Sequence, residues 1–350
     1  MRTVMKAVIV VLALLVLAGG GLLAWYRLSP WPAVLIVRNS FDAGAQEAKA
    51  SVAPFVPDDV VARHGLSYLA GEPDALLDLF VPEGATAPLP LVVWVHGGGF
   101  IAGTRDDLTG YRKVLADRGY AVAAIDYTLA PEARFPTPVR QTNAALAWLV
   151  QNATAFGLDP QRIFLAGDSA GAQIAAQAAL GVAEPGYARS IGITPGLPRN
   201  ALRGVVLFCG PYDPTRMDFD SPYGGFMRTV IWSYLGTRDP ADPRVADMSL
   251  LPHLTSAFPP TFISVGNADP LAPQSYALAE ALEAKGVEVD TLFFPPRHEP
   301  QLGHEYQLLL STRDGRLSFE RFVAFLAAHS AAPAPAEADA GWRAVRRSPA

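Results

Sequence analysis

A serine held between two glycines is the residue of this chain best suited to chemistry. Ser169 is the centre of a G-x-S-x-G pentapeptide, residues 167–171, which follows an apolar run and precedes a stretch of helix formers. This pattern predicts a sharp turn from a strand into a helix that holds the serine hydroxyl out of the backbone path. The glycines are needed because a side chain would collide in so tight a turn. The spacing therefore predicts a nucleophilic serine.

A glycine loop upstream offers a partner for such a nucleophile. The run His96-Gly97-Gly98-Gly99-Phe100 directly follows the apolar segment 91–95. Successive glycines are tolerated where a backbone must approach another group closely, and their free N–H groups can stabilise the negative oxygen of a tetrahedral intermediate. The sequence predicts an oxyanion hole formed by the amides of Gly98, Gly99 and Ala170, with His96 packed under the loop.

The acid that would orient the general base is predicted to be Asp269. It follows the predicted strand 261–265 and precedes Pro270, so it lies at the carboxyl end of that strand. An aspartate before a proline also starts helices, which is the alternative role. The order serine, acid, histidine along the chain is that of the α/β-hydrolases and favours the catalytic role.

Two histidines could be the general base. His298 and His304 both follow the last predicted strand, and only a histidine on that loop could reach Ser169 and Asp269 together. His298 has the more usual distance from the acid along the chain. His304 follows a glycine and opens an apolar run that leads into the last helix, so its backbone should be better anchored. We predict His304 as the base, with His298 as the alternative.

This constellation predicts hydrolysis through an acyl-enzyme. The base takes the Ser169 proton, the serine attacks an acyl carbonyl, and water later releases the acid. Such a mechanism needs no cofactor and no metal. The formal charge of −5 gives no basic surface for nucleic acid, and a single cysteine, Cys209, which we expect to be buried, excludes a disulfide within the chain.

Short apolar runs alternate with helical patterns through the middle of the chain, which predicts a mostly parallel sheet with helices on both faces. The predicted strands are 91–95, 121–127, 162–166, 205–209, 261–265 and 289–294, preceded by an antiparallel start at 65–68 and 74–81. The predicted helices are 107–118, 138–156, 170–182, 273–285 and 318–329. The catalytic domain is expected to span residues 61–330.

Three further segments interrupt or flank this pattern. Residues 211–259 are rich in proline, aspartate and aromatic residues and are predicted to form a cap over the site, together with the linker or cap segment 28–60. Closely spaced prolines at 30 and 32 predict an extended path after the first helix. Residues 331–350 are expected to be a flexible tail.

The N-terminus carries a candidate membrane segment within residues 1–27. Residues 7–26 hold no charge, and at about 1.5 Å per residue they would span about 30 Å, the thickness of a bilayer core. Arg2 and Lys6 precede the run, which favours a cytoplasmic N-terminus and an extracytoplasmic catalytic domain, periplasmic or extracellular. We favour an uncleaved anchor. The alternative is a signal peptide cleaved near the small residues 18–20, which would release a secreted protein.

With these residues in place, the chain resembles the hormone-sensitive-lipase-like carboxylesterases of the α/β-hydrolase fold. The resemblance covers residues 91–329 and includes a third run, 126–132, similar to that family's D-Y-R-L-A-P-E stretch, with Thr128 in place of the arginine. It implies hydrolysis of small esters with short to medium acyl chains and a cap over the pocket. The sequence is also compatible with two alternatives that would use the same triad: an amidase or peptidase, or a lipase acting at a membrane. It leaves the oligomeric state open as well.

Overall fold

A computed structural model of the protein describes residues 1–221, 223–239 and 241–330, with the backbone alone at 41–43. Its sheet has eight strands: β1 Val60–Ser67, β2 Leu76–Pro82, β3 Leu89–Val95, β4 Ala121–Ile125, β5 Leu158–Asp168, β6 Leu202–Phe208, β7 Thr261–Val265 and β8 Val289–Phe293. The strand order is β1-β2-β4-β3-β5-β6-β7-β8. Strand β2 pairs antiparallel with both β1 and β4, and the remaining pairs are parallel.

Helices cover both faces of this sheet, as expected for parallel strands that are apolar along their whole length. The helices are α1 Arg2–Leu28, α2 Trp31–Val52, α3 Thr109–Ala116, α4 Thr137–Gln151, α5 Ala153–Phe156, α6 Ala170–Ala183, α7 Pro185–Ser190, α8 Gly224–Leu235, α9 Pro243–Met248, α10 Ala272–Glu283 and α11 Arg313–His329. Along β3, Val93 and Val95 belong to the core on one face, whereas Val92 and Trp94 belong to the core on the other. The predicted α/β-hydrolase fold is thus the observed one.

The segment after the first helix differs from its prediction. The chain does not run extended after Ser29 but begins α2 at Trp31 and stays helical to Val52. Proline is a good residue in the first turn of a helix, where its missing N–H would have no partner, and Pro32 lies in that turn. The prolines therefore separate two helices instead of ending helical structure.

Helix α2 and the insertion between β6 and β7 lie together over the carboxyl ends of the strands. The insertion contains α8 and α9, and α2 contacts α8 and α3. Val34 and Val52 on α2 are buried in the two cores. Helix α2 is thus packed onto the sheet and its helices by apolar contacts.

Helix α1 is different from the others because none of its residues is buried. It has 27 residues and is long and apolar enough to cross a membrane, a property that a membrane anchor and a signal sequence share. The predicted flexible tail, residues 331–350, lies outside the described residues.

Candidate active site

Ser169 lies on a strained turn between β5 and α6. Its backbone has φ 49° and ψ −119°, a conformation that is rare for a residue with a side chain. Its N–H donates to the carbonyl of Phe208 on the neighbouring strand at 2.8 Å, which holds the strained residue in place. Strain of this kind persists only where surrounding contacts determine it, and it is concentrated at functional sites.

The two glycines of the pentapeptide are required by close backbone contacts. A Cβ on Gly171 would lie 2.1 Å from the carbonyl oxygen of Val95, and one on Gly167 would lie 2.6 Å from the backbone of Gly171. The start of α6 therefore packs directly against the end of β3. The turn could not form at this position with any larger residue.

We expect Gly171→Ala to damage both folding and activity. The added methyl group would push α6 away from β3, at a cost of about 1–3 kcal/mol in the free energy of unfolding, and would displace the adjacent serine. Thermal unfolding and kcat on a small ester measure the two effects. Gly186→Ala is the matched control, since a Cβ there meets nothing within 4 Å. A stable and fully active Gly171→Ala variant would contradict this interpretation of the turn.

His304 lies between Ser169 and Asp269. Its Nε2 is 2.9 Å from Ser169 Oγ, and its Nδ1 is 2.8 Å from Asp269 Oδ2. Asp269 Oδ1 accepts the N–H of Leu271 at 2.7 Å, which fixes the plane of the carboxylate. A hydroxyl, an imidazole and a carboxylate in this order are arranged for proton transfer from the serine.

His298 lies elsewhere on the same loop. Its Nε2 is 3.1 Å from Asp314 Oδ2 at the start of α11, and its ring packs against Phe294. The loop is tied back to the end of β7, because the side chain of Asn267 donates to the His298 carbonyl and accepts the N–H of Leu302. This tie directs His304, and not His298, towards the serine.

The electrostatics at His304 favour its charged form. Burial lowers the pKa of the imidazole, but the charge of Asp269 and its hydrogen bond to Nδ1 outweigh this effect, so the pKa lies above the ordinary 6.5. Cys209 is fully buried, and burial raises the pKa of its thiol to about 12. The Cys209 sulfur, a carboxylate oxygen of Asp269 and a ring nitrogen of His304 lie within 4.8 Å of one another. The sequence predicted only a buried thiol here, since nothing in it brings Cys209 next to the histidine.

The glycine loop faces the serine from β3. Gly98 has φ 108°, and a Cβ on it would lie 2.1 Å from the carbonyl oxygen of Ala102. Among the described residues, the amides of Gly98, Gly99 and Ala170 form no hydrogen bond within the protein. Three unpaired donors next to a serine hydroxyl are suited to stabilising an oxyanion.

Asp168 fixes the position of this loop, a role that sequence reasoning did not assign. Its carboxylate accepts the N–H of Gly97 and the indole N–H of Trp94, both at 2.8 Å. His96 is buried beneath the loop, with Nδ1 2.7 Å from the Gly97 carbonyl and its ring stacked on Tyr127. The residue before the serine therefore holds the loop that faces the serine.

A cavity of about 210 Å³ opens at these groups. Ser169, His304, Gly98 and Gly99 form its floor, and its remaining walls are mostly apolar: Phe100, Pro211, Met217, Tyr223, Phe226, Met227, Val230 and Leu271. The predicted cap segment 211–259 supplies most of these apolar walls. The cavity can therefore bury an uncharged apolar group beside the serine.

The family of the chain follows from its comparison with known proteins. The model of a family described as alpha/beta hydrolase fold matches residues 92–304, more than half of the chain. The chain belongs to this family. The resemblance to hormone-sensitive-lipase-like carboxylesterases, predicted from the sequence, is confirmed.

Named relatives of this hydrolase are esterases. Carboxylesterase NlhH of Mycobacterium tuberculosis is 32% identical over 67% of this chain and 72% of its own length. Ethyl acetate hydrolase of Pseudomonas putida is 31% identical over 65% of this chain and 75% of its own length. The crystal structure of esterase B from Lactobacillus rhamnosis matches with a TM-score of 0.73 and 25% identity, over 85% of this chain and 96% of that one. This hydrolase is accordingly a carboxylic ester hydrolase.

Proposed function

We propose that this hydrolase cleaves esters of short- to medium-chain acids through an acyl-enzyme on Ser169. The observation that carries the proposal is the pair of hydrogen bonds that His304 makes to Ser169 and Asp269. His304 would accept the Ser169 proton as Oγ attacks the acyl carbonyl, and Asp269 would stabilise the resulting imidazolium. The amides of Gly98, Gly99 and Ala170 would bind the oxyanion, and one such donor contributes about 3 kcal/mol to transition-state stabilisation.

The direct test compares leaving groups on one acyl chain. We expect the full chain in detergent to hydrolyse p-nitrophenyl esters far faster than the matching p-nitroanilides, with a burst of p-nitrophenol equal to the enzyme present. Faster cleavage of the anilides would make the protein an amidase or peptidase. Absence of both activities and of the burst would reject the proposal.

We expect the length of acyl chain accepted to depend on Phe226. This α8 side chain lies over the glycine loop, with Cζ 3.0 Å from where a Cβ of Gly99 would be. Phe226→Ala should enlarge the cavity and raise kcat/KM for long acyl chains relative to acetate. An increase of about 10-fold is expected if one or two additional methylene groups of the acyl chain pack into the enlarged cavity. A series of p-nitrophenyl esters from acetate to laurate measures this.

Trp232→Ala is the matched control for Phe226→Ala. It removes an aromatic ring from the same helix, but Trp232 lines an outer cavity beside Tyr26 and does not line the catalytic one. Its chain-length profile should equal that of the natural protein. Equal shifts in the two variants would mean that the cap as a whole, and not Phe226, limits the acyl chain.

The pKa of His304 sets the expected pH dependence. The imidazole must be neutral to accept the serine proton, so kcat/KM rises as the pH rises through its pKa. Since that pKa lies above 6.5, the acidic limb of the profile is expected above pH 6.5. Asp269→Asn removes a group that raises this pKa, so its residual activity should show the limb at lower pH. A limb below pH 6.5 in the natural protein would be the contrary result.

We further propose that α1 is an uncleaved anchor that leaves the catalytic domain outside the cytoplasm. The long exposed apolar helix and the basic residues Arg2 and Lys6 before its core support this orientation. Retention of the activity in the membrane after alkaline extraction, together with an intact N-terminus by mass spectrometry, is the expected result. A mature chain that begins after residue 20 would instead indicate a secreted enzyme.

A further inference from the structure

A second cavity lies behind the glycine loop, on the opposite side from the catalytic cavity. This rear cavity has a volume of about 260 Å³. One wall is α2, where Gly44, Ala45 and Ala48 leave room because their side chains are small. The other walls carry polar groups, and its described lining is Ser40, Gly44, Ala45, Ala48, His96, Gly97, Gly103, Asp107, Leu108, Asp168, Glu305 and Leu308. A cavity of this size that is lined by the side chains of His96, Asp168 and Glu305 can hold several water molecules.

Glu305 lines the catalytic cavity as well as the rear cavity. It follows the general base directly and has φ 59°, an unusual conformation for a residue with a side chain. This conformation turns its carboxyl inward, so that Oε1 lies 3.7 Å from His304 Nε2 while 29% of the side chain stays accessible. The carboxyl group therefore stands between the rear cavity and the nitrogen that handles the proton.

Gly97 also separates the two cavities, and there is little space around it. A Cβ on Gly97 would lie 2.3 Å from Asp168 Oδ2 and 3.0 Å from Glu305 Oε1, so no side chain fits there. Burial and the neighbouring charge of Asp168 raise the pKa of Glu305 to about 7, although His304 opposes the shift. In either protonation state the carboxyl can bond a water molecule. Small movements of one side chain would join the two spaces.

The catalytic cavity itself is a poor source of water once the enzyme is acylated. Its volume is about 210 Å³, and its cap-side walls are apolar. An acyl chain on Ser169 would occupy this volume and displace solvent from the front. Deacylation nevertheless needs one water within hydrogen-bond reach of His304 Nε2.

We propose that the hydrolytic water reaches the acyl-enzyme from the rear cavity, past the carboxyl of Glu305. The inference rests on the proposed acyl-enzyme at Ser169. A water bonded to Glu305 loses its proton to His304 Nε2 as its oxygen attacks the acyl carbonyl. Collapse of the intermediate breaks the bond to Ser169 Oγ, the proton passes from His304 to that oxygen, and the acid leaves. Glu305 is unchanged at the end of the cycle.

Burst kinetics with p-nitrophenyl acetate separate the two half-reactions. Glu305→Leu removes the polar group, and Ala45→Leu narrows the rear cavity from α2 without touching the catalytic residues. Each is expected to slow deacylation about tenfold, the effect of losing one well-placed hydrogen bond or its water. The rate and size of the burst should stay unchanged in Ala45→Leu, and in Glu305→Leu the burst should slow by less than deacylation does. Glu305→Gln, which still bonds water, should restore most of the rate. Ala50→Leu, at an exposed position on the same helix, is the matched control.

The outcomes distinguish this inference from the proposed function. A normal deacylation rate in both Glu305→Leu and Ala45→Leu, with a normal burst, would overturn the rear path and leave the acyl-enzyme intact. Equal losses in burst rate and deacylation would make Glu305 a structural residue and also overturn it. Absence of both ester turnover and a burst in the natural protein would reject the acyl-enzyme itself.

Discussion

Ser169→Ala is expected to lower kcat on short p-nitrophenyl esters by about 10⁴-fold or more, because the proposed acyl-enzyme forms on the hydroxyl that this change removes. The residue is 8% exposed on a turn fixed by backbone contacts, and alanine fits this turn without the hydroxyl. Stability should therefore change little, so that lost activity reflects lost chemistry. Steady-state rates at saturating ester and thermal unfolding measure the two quantities.

The control for this variant is another serine near the surface. Ser256→Ala changes an exposed loop serine that does not line the cavity at Ser169, and its rates should equal those of the natural protein. An ester analogue that traps the nucleophile, such as a phosphonate, should label the natural protein and Ser256→Ala but not Ser169→Ala. Labelling or substantial turnover by Ser169→Ala would show that another residue attacks the ester.

Much of the scaffold was predictable because its signals are local. Strand β7 has its predicted bounds, since residues 261–265 are mostly β-branched or aromatic and have turn residues on both sides. The glycines at 98 and 171 could be recognised because few other functions require glycine there. In the structure, a Cβ added to either glycine would lie 2.1 Å from a backbone oxygen. A steric requirement of this kind can be recognised from the type of a single residue.

Other features depend on contacts between distant residues and left no such signal. Helix α2 was missed because Pro30 and Pro32 were interpreted as helix breakers, whereas they precede or begin a helix whose apolar side chains are buried against the body. The carboxyl of Glu305 reaches the site only because of one left-handed backbone angle. The approach of Cys209 to His304 depends on the pairing of β6 with β7.

The choice between two histidines shows where spacing stops being informative. Both lie on one loop, and the number of residues from the acid favoured His298. The structure decides their positions through Asn267, whose side chain binds the loop at two points and leaves His298 beside Asp314. Asn267 bonds to Leu302, which lies 35 residues further along the chain, and the local sequence pattern does not reveal a partner at that distance.

His304→Ala is therefore expected to lower kcat about as much as Ser169→Ala, because a serine hydroxyl without its base is a poor nucleophile. His298→Ala is the matched control, one histidine removed from the same loop. It should keep kcat within about twofold and lose about 1 kcal/mol of stability, since its partly exposed pair with Asp314 is a modest interaction. The pH profile of each variant adds a second readout: the acidic limb should persist in His298→Ala and vanish from the residual activity of His304→Ala. An inactive His298→Ala beside an active His304→Ala would transfer the general base to His298 and would require the loop to rearrange when substrate binds.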